Sequence, residues 1–273
     1  MKSLLIVYPH GLGDCIMLTP AIRNYFFQTG MKPTVAIMER FRSSEIFDNN
    51  PYIEEILYTK DPWNDYPDRR IGFGSVFNDC KEWSNDRYEV IMPMHEDRTK
   101  NKIEANLEAC EIDPSSDFTR PWRPMGATET FSAEYDVENA SNLVKDIVRG
   151  GPFGFVQTAT GRPNADLPKG YGREWLRIHK GLTNVLEVGI DFKYDEFSIN
   201  TQIEIMRMAS AVCLPDSVFS NACGAIGKPI DHLYFAPQWG PQGYARVKPL
   251  HQVEQHVIYE LDHDVMEAIQ CNA

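Results

Sequence analysis

Asp14 is the residue of this chain best placed to take a proton. It follows the second glycine of Gly11-Leu12-Gly13, in a turn between the apolar run SLLIVY (3–8) and a helical pattern. Such a turn ordinarily receives a phosphate, because free backbone N–H groups and the helix dipole favour negative charge there. A carboxylate already supplies that charge and repels a pyrophosphate. Spacing alone leaves Asp14 two roles. It can cap the helix start, a contribution of about 1 kcal/mol, or act as a general base at the C-terminal edge of a parallel sheet, where ligands of open α/β folds bind. His10 stands in the same turn, where it would contact a substrate or tune Asp14.

The same turn tests for a dinucleotide site. That fingerprint needs a third small residue for close helix–strand packing, and here the position is Ile16. An NAD(P)-dependent oxidoreductase is therefore the third-ranked reading.

A second constellation lies in AVCLPDSVFSNACGAIGKP (211–229), where Asp216-Ser217 leads from a strand into a helix of small residues. Small side chains let backbone amides approach a ligand, so this helix start suits a diphosphate. Arg162 and Lys169, in the loop TATGRPNADLPKGYGREW, are candidate cations for neutralising it. His95, with Glu96 and Asp97, opens a charged loop after the strand YEVIMPM (88–94), at that strand's C-terminal end.

Alternating strands and helices must position these residues. The expected elements are strands at 3–8, 34–39 and 88–94, a strand EEILYT, a helix TPAIRNYFFQTG with Thr19 as its N-cap, and a short helix SSEIFDNNPYI. The segment 60–87, polar and aromatic, reads as an irregular excursion at a rim, and 102–112 as an amphipathic helix. Residues 113–135 have no lasting periodicity and read as a linker. A second alternation follows, with strands at 153–158, 185–190, 211–215 and 230–235 and a last helix DVMEAIQ. The expected class is α/β, two Rossmann-like domains facing a cleft, 1–125 and 136–273.

The chain has 273 residues, 42% of them hydrophobic, and a net charge of -12. That field disfavours nonspecific attraction to nucleic acid or anionic lipid. Its six cysteines are scattered without metal-ligand spacing, so reduced thiols and no metal are expected. No signal peptide or membrane-spanning run is apparent, and the expected location is cytoplasmic.

Three segments together resemble the ADP-heptose:lipopolysaccharide heptosyltransferase-like glycosyltransferases, family 9, which have the GT-B fold. GLGDCIMLTPAIR is similar to the family's N-terminal G-D-x-x-x-x-x-P-A-hydrophobic-R pattern. NNPYIEEIL resembles its N-P-Y-I-D-E-hydrophobic segment. AVCLPDSVFSNACGAIGKP resembles its D-[ST]-G-x-x-H-x-x-A-A region, followed by the aromatic turn PQWGPQGY. The resemblance implies an inverting, metal-independent transfer from a nucleotide-sugar co-substrate, with no further cofactor. It makes Asp14 the base, puts the acceptor on domain 1–125 with His10, Gly11, Gly13 and His95, and gives the nucleotide-sugar to domain 136–273, its phosphates to Asp216, Ser217 and Asn221. A glycan acceptor is favoured over a hydroxylated base in DNA. Two positions depart from the pattern: Val218 replaces the family's glycine and Asn221 its histidine. Asparagine donates a hydrogen bond but carries no charge. A non-catalytic nucleotide-sugar-binding protein is accordingly the second reading.

Overall fold

The run SLLIV forms a strand because it is buried on both faces, and burial on both faces calls for parallel neighbours covered by helices. In a computed structural model, which describes residues 2–85, 87–94, 99–112, 134–148, 151–160, 165–248 and 254–271, this is β1 (Ser3–Val7). The first half continues with α1 (Leu12–Thr29), β2 (Thr34–Met38), a 3₁₀ turn (Glu39–Ser44), β3 (Glu55–Thr59), α2 (Arg69–Ser84), β4 (Tyr88–Ile91) and α3 (Lys102–Ala109). The strands pair in parallel in the order β3-β2-β1-β4, with Leu5 opposite Thr34 on one side and Val90 on the other.

The second half comprises α4 (Glu134–Val148), β5 (Gly154–Gln157), α5 (Tyr171–Lys180), β6 (Val185–Val188), α6 (Ile199–Met208), β7 (Ala211–Pro215), α7 (Val218–Ile226), β8 (Ile230–Tyr234), α8 (Gly240–Val247), β9 (Gln255–Ile258) and α9 (His263–Cys271). Its sheet is also parallel, in the order β6-β5-β7-β8-β9. The architecture is α/β, with two Rossmann-like units of the GT-B type. Leu18 and Ile22 of α1 share one buried apolar cluster with Phe219, Ala222 and Cys223 of α7, so the halves meet through these helices.

Several elements differ from the expectations. The first helix begins at Leu12, with Gly11 as its N-cap, and Thr19 lies inside it. Pro20 has no N–H for the Ile16 carbonyl one turn back. The Thr19 hydroxyl donates to that carbonyl instead, at 2.7 Å, and the helix runs on. The segment 60–87 is not irregular throughout but holds α2. Asp68 caps that helix by accepting from Arg70 N and Ile71 N, and Asn85 ends it at φ 44°. The short helix at SSEIFDNNPYI is replaced by the 3₁₀ turn and bends, because Glu45 and Asn49 take left-handed backbone at φ 54° and 62°. The aromatic turn around Trp239 leads into α8, and β9 adds an edge strand that its mixed polar sequence did not announce.

Five of the six cysteines are buried and all six are free thiols. Burial pushes Cys110 up to about 12, which keeps that thiol protonated and unreactive near neutral pH. No helix among the described residues is long and apolar enough to cross a membrane.

Candidate active site

In an open parallel sheet, strand order reverses at one point, and the loops leaving the two strands there diverge to open a crevice. In the first sheet the reversal lies between β1 and β4; in the second it lies between β5 and β7. In chain order, residues picked from sequence follow all four of the strands concerned. Asp14 follows β1 and His95 follows β4. Arg162 and Lys169 follow β5, and Asp216 and Ser217 follow β7. His95 and Arg162 fall outside the described residues.

Asp14 occupies the first turn of α1, where its charge suits the helix dipole. The cap residue Gly11 makes no side-chain cap hydrogen bond. The Asp14 carboxylate instead accepts a hydrogen bond from the Lys102 ammonium, an ion pair whose partners are only 13% and 14% exposed. Lys102 opens α3, so the pair spans the loops leaving β1 and β4. Two asparagines fix it. Asn106 donates to the Met17 carbonyl at 2.9 Å and to the Tyr8 hydroxyl at 3.2 Å, tying α3 to α1. Asn101 caps α3 by accepting from Ile103 N at 2.9 Å. Its Nδ2 donates to the carbonyls of Ala245 and Lys248, at 3.1 and 3.0 Å, at the end of α8.

His10 is buried, and its Nε2 donates to the Pro93 carbonyl at 3.0 Å. Burial holds its pKa below the ordinary imidazole value against the opposing pull of Asp14, so the ring is neutral near pH 7. It lies against Tyr8 at 4.6 Å and Phe73 at 5.5 Å between ring centroids. His10 thus clamps the end of β4 to the turn, with Asp14 close enough to act on it electrostatically.

The other half of the site meets this turn directly. A Cβ at Gly13 would stand 2.6 Å from Asn221 Nδ2 and 3.4 Å from Val218 Cα, so glycine is what lets the turn touch α7. Asn221 donates to the Ser217 carbonyl at 3.1 Å, turning its amide back onto its own helix. Ser217 caps α7: its Oγ accepts from Phe219 N at 3.2 Å, and its N–H donates to Ser220 Oγ at 3.0 Å. Asp216 and Ser217 are 8% and 9% exposed. Lys169 is exposed, on the turn before α5. On β6, buried Glu187 accepts from the Thr158 hydroxyl just past β5 and, at 2.6 Å, from Arg173 Nε of α5.

Sequence reasoning missed Lys102, Asn101 and Asn106. Lys102 was visible only as one cation in the run RTKNK, and no spacing rule joins it to a carboxylate 88 residues earlier. No group of His, Cys, Asp and Glu able to hold a metal occurs among the described residues. A cavity of about 490 Å³ lies at the other end of the second sheet, lined by Trp175, His179, Lys180 and His256, away from Asp14 and Ser217.

No protein-family model matches the chain, and no curated protein matches it by sequence. Solved structures do. A glycosyl transferase family 9 protein from Veillonella parvula DSM 2008 aligns with TM-score 0.66 and 13% identity, over 100% of this chain and 91% of that one. The E. coli ADP-heptose lps heptosyltransferase II aligns with TM-score 0.62 and 12% identity, over 99% and 100%. The E. coli heptosyltransferase WaaC with ADP aligns with TM-score 0.56 and 14% identity, over 99% and 100%. Across the whole length of both halves, the chain has the heptosyltransferase-like fold of glycosyltransferase family 9.

Proposed function

We propose that the chain is a glycosyltransferase that moves a sugar from a nucleoside-diphosphate donor to an acceptor hydroxyl, with inversion and without a metal ion. The observation that carries this is the Asp14–Lys102 pair at the first sheet's switch point, one residue from the contact with the capped start of α7. Asp14 takes the acceptor hydroxyl's proton as the oxygen bonds to the anomeric carbon. The bond from that carbon to the diphosphate oxygen breaks on the opposite face, through an oxocarbenium-like transition state. Charge developing on the departing diphosphate is met by the N–H groups of α7 and by Lys169. The neighbours crystallised with ADP and an ADP-heptose analogue make an adenosine diphosphate sugar the first donor to try. A glycan acceptor fits the acidic chain better than a polyanion.

A thermal-shift screen with ADP, UDP, GDP, CMP, their sugars and NAD(P) tests the donor. A ligand at about 100-fold its Kd adds about 2.7 kcal/mol, so one nucleoside diphosphate and its sugars should raise the melting temperature selectively. A shift by NAD(P) alone would overturn the assignment. With the donor known, Asp14→Asn should lower kcat by about 10²–10⁴-fold while donor binding persists; retained turnover would remove Asp14 from the role of base.

Val218 and Asn221 favour one second reading, a nucleotide-sugar-binding protein without turnover. Asn221 spends its amide on Ser217 and packs against Gly13. Donor binding with no transfer to any acceptor would decide for it.

A further inference from the structure

The loop between β3 and α2 is built rather than slack. Asp61, 7% exposed, accepts from Trp63 N and from Asn64 Nδ2, both at 2.8 Å, and pairs with Arg40 at 3.0 Å. The Asp65 carboxylate closes the loop by accepting from Asp61 N at 2.6 Å. Pro62 seats it on α2. A Cβ at Gly72 would stand 2.4 Å from the Pro62 carbonyl oxygen and 2.9 Å from its Cα, so only glycine lets the loop lie flush. On this seat stands Trp63, 38% exposed, its indole edge-to-face with Phe73 at 4.8 Å. Phe73 in turn touches His10 at 5.5 Å. A file of three rings therefore runs from solvent to the turn that carries Asp14.

We propose that Trp63 is the stacking platform for a pyranose ring of a neutral saccharide acceptor, an inference that rests on the glycosyltransferase reading above. The C–H face of a pyranose is apolar and matches an indole, while its hydroxyls remain available to polar neighbours. A platform whose loop is already ordered loses little freedom on binding, which is what makes a single exposed aromatic effective. An unpaired nucleobase also stacks on tryptophan, but it brings phosphates that need a basic groove. The platform loop, residues 60–68, carries Asp61, Asp65 and Asp68 against Lys60 alone, and the chain as a whole is at -12. The charge selects the uncharged sugar.

The test applies the full-length protein, Trp63→Ala and Trp63→Phe to a printed array of neutral glycans and to oligo(dT), with the nucleoside-diphosphate thermal shift run on all three. Expected is retention of one class of neutral saccharide by the wild type. Binding should fall about tenfold or more in Trp63→Ala, as for an aromatic hot spot, and recover in large part in Trp63→Phe. The nucleotide shift should be the same in all three. Unchanged glycan binding in Trp63→Ala overturns the platform; so does a wild type that retains no neutral glycan, or one that retains oligo(dT) instead. Loss of the nucleotide shift in the wild type would sink the donor assignment alone, and the array would still decide on Trp63.

Discussion

Asp14 and Lys102 bury most of their charge together, and a pair of this kind is costly to break because the surviving partner stays desolvated. Lys102→Met should therefore reduce kcat by about tenfold or more and move the acid limb of the kcat/KM profile to higher pH, since a neighbouring cation favours the ionised carboxylate. Lys102→Arg should restore much of both. A rate loss with an unmoved profile would reduce Lys102 to a structural contact. Gly13 offers a second test at this scale. Gly13→Ala pushes a methyl into Asn221 Nδ2, and overpacking of this sort costs about 1–3 kcal/mol. Denaturant midpoints should show that loss in Gly13→Ala and its recovery in Gly13→Ala/Asn221→Ala; an uncorrected double variant would place the strain elsewhere. Asp14 was legible in the sequence because a carboxylate in a glycine turn is chemically out of place. Lys102 was not, since its meaning comes from a partner brought near only by the return of β4 beside β1.

Among the elements, α1 and α2 show where local sequence misleads. Thr-Pro looks like a helix start, and in isolation it is one of the best. In α1 the pair is a splice: the hydroxyl takes the carbonyl that proline leaves unpaired. Thr19→Val should then strand the buried Ile16 carbonyl and cost about 1–3 kcal/mol, read as a lower denaturant midpoint at unchanged slope; no change would mean the carbonyl finds another donor. Helix α2 was hidden for the opposite reason. Gly72 and Gly74 argue against a helix, yet Phe73, Val76 and Cys80 form its buried side, and Gly72 is there for Pro62 rather than for the helix. Strands β2, β6 and β7 were legible because the runs TVAIM, VLEV and AVCLP are buried throughout. The edge strand β9, half exposed and containing Gln255 and His256, carries no such signal.

At the scale of the whole molecule, stability should depend on a residue far from the site. His232 on β8 is 2% exposed, packed on Trp175 at 4.5 Å, with its Nε2 buried and unpartnered among the described residues. Burial lowers its pKa from 6.5 to about 4; His256 and His179 add to the shift and Asp262 opposes it. The folded state thus binds fewer protons than the unfolded one between these values. The stability His232 contributes is complete above pH 6.5 and is lost as pH falls toward about 4, a change on the order of 3 kcal/mol. The melting temperature should decline through that window, and His232→Phe should flatten the decline; an equal slope in both proteins would assign the acid sensitivity to other groups.

Asn101 has a consequence for how the halves communicate. One end of its carboxamide holds the last carbonyls of α8, and the other holds the first turn of α3, one residue before the lysine that pairs with Asp14. A displacement of α8 relative to α3 acts directly on these bonds. The partner of Asp14 is thereby tethered to the second half of the chain, so a shift of α8 is felt across both sheets at this one carboxylate.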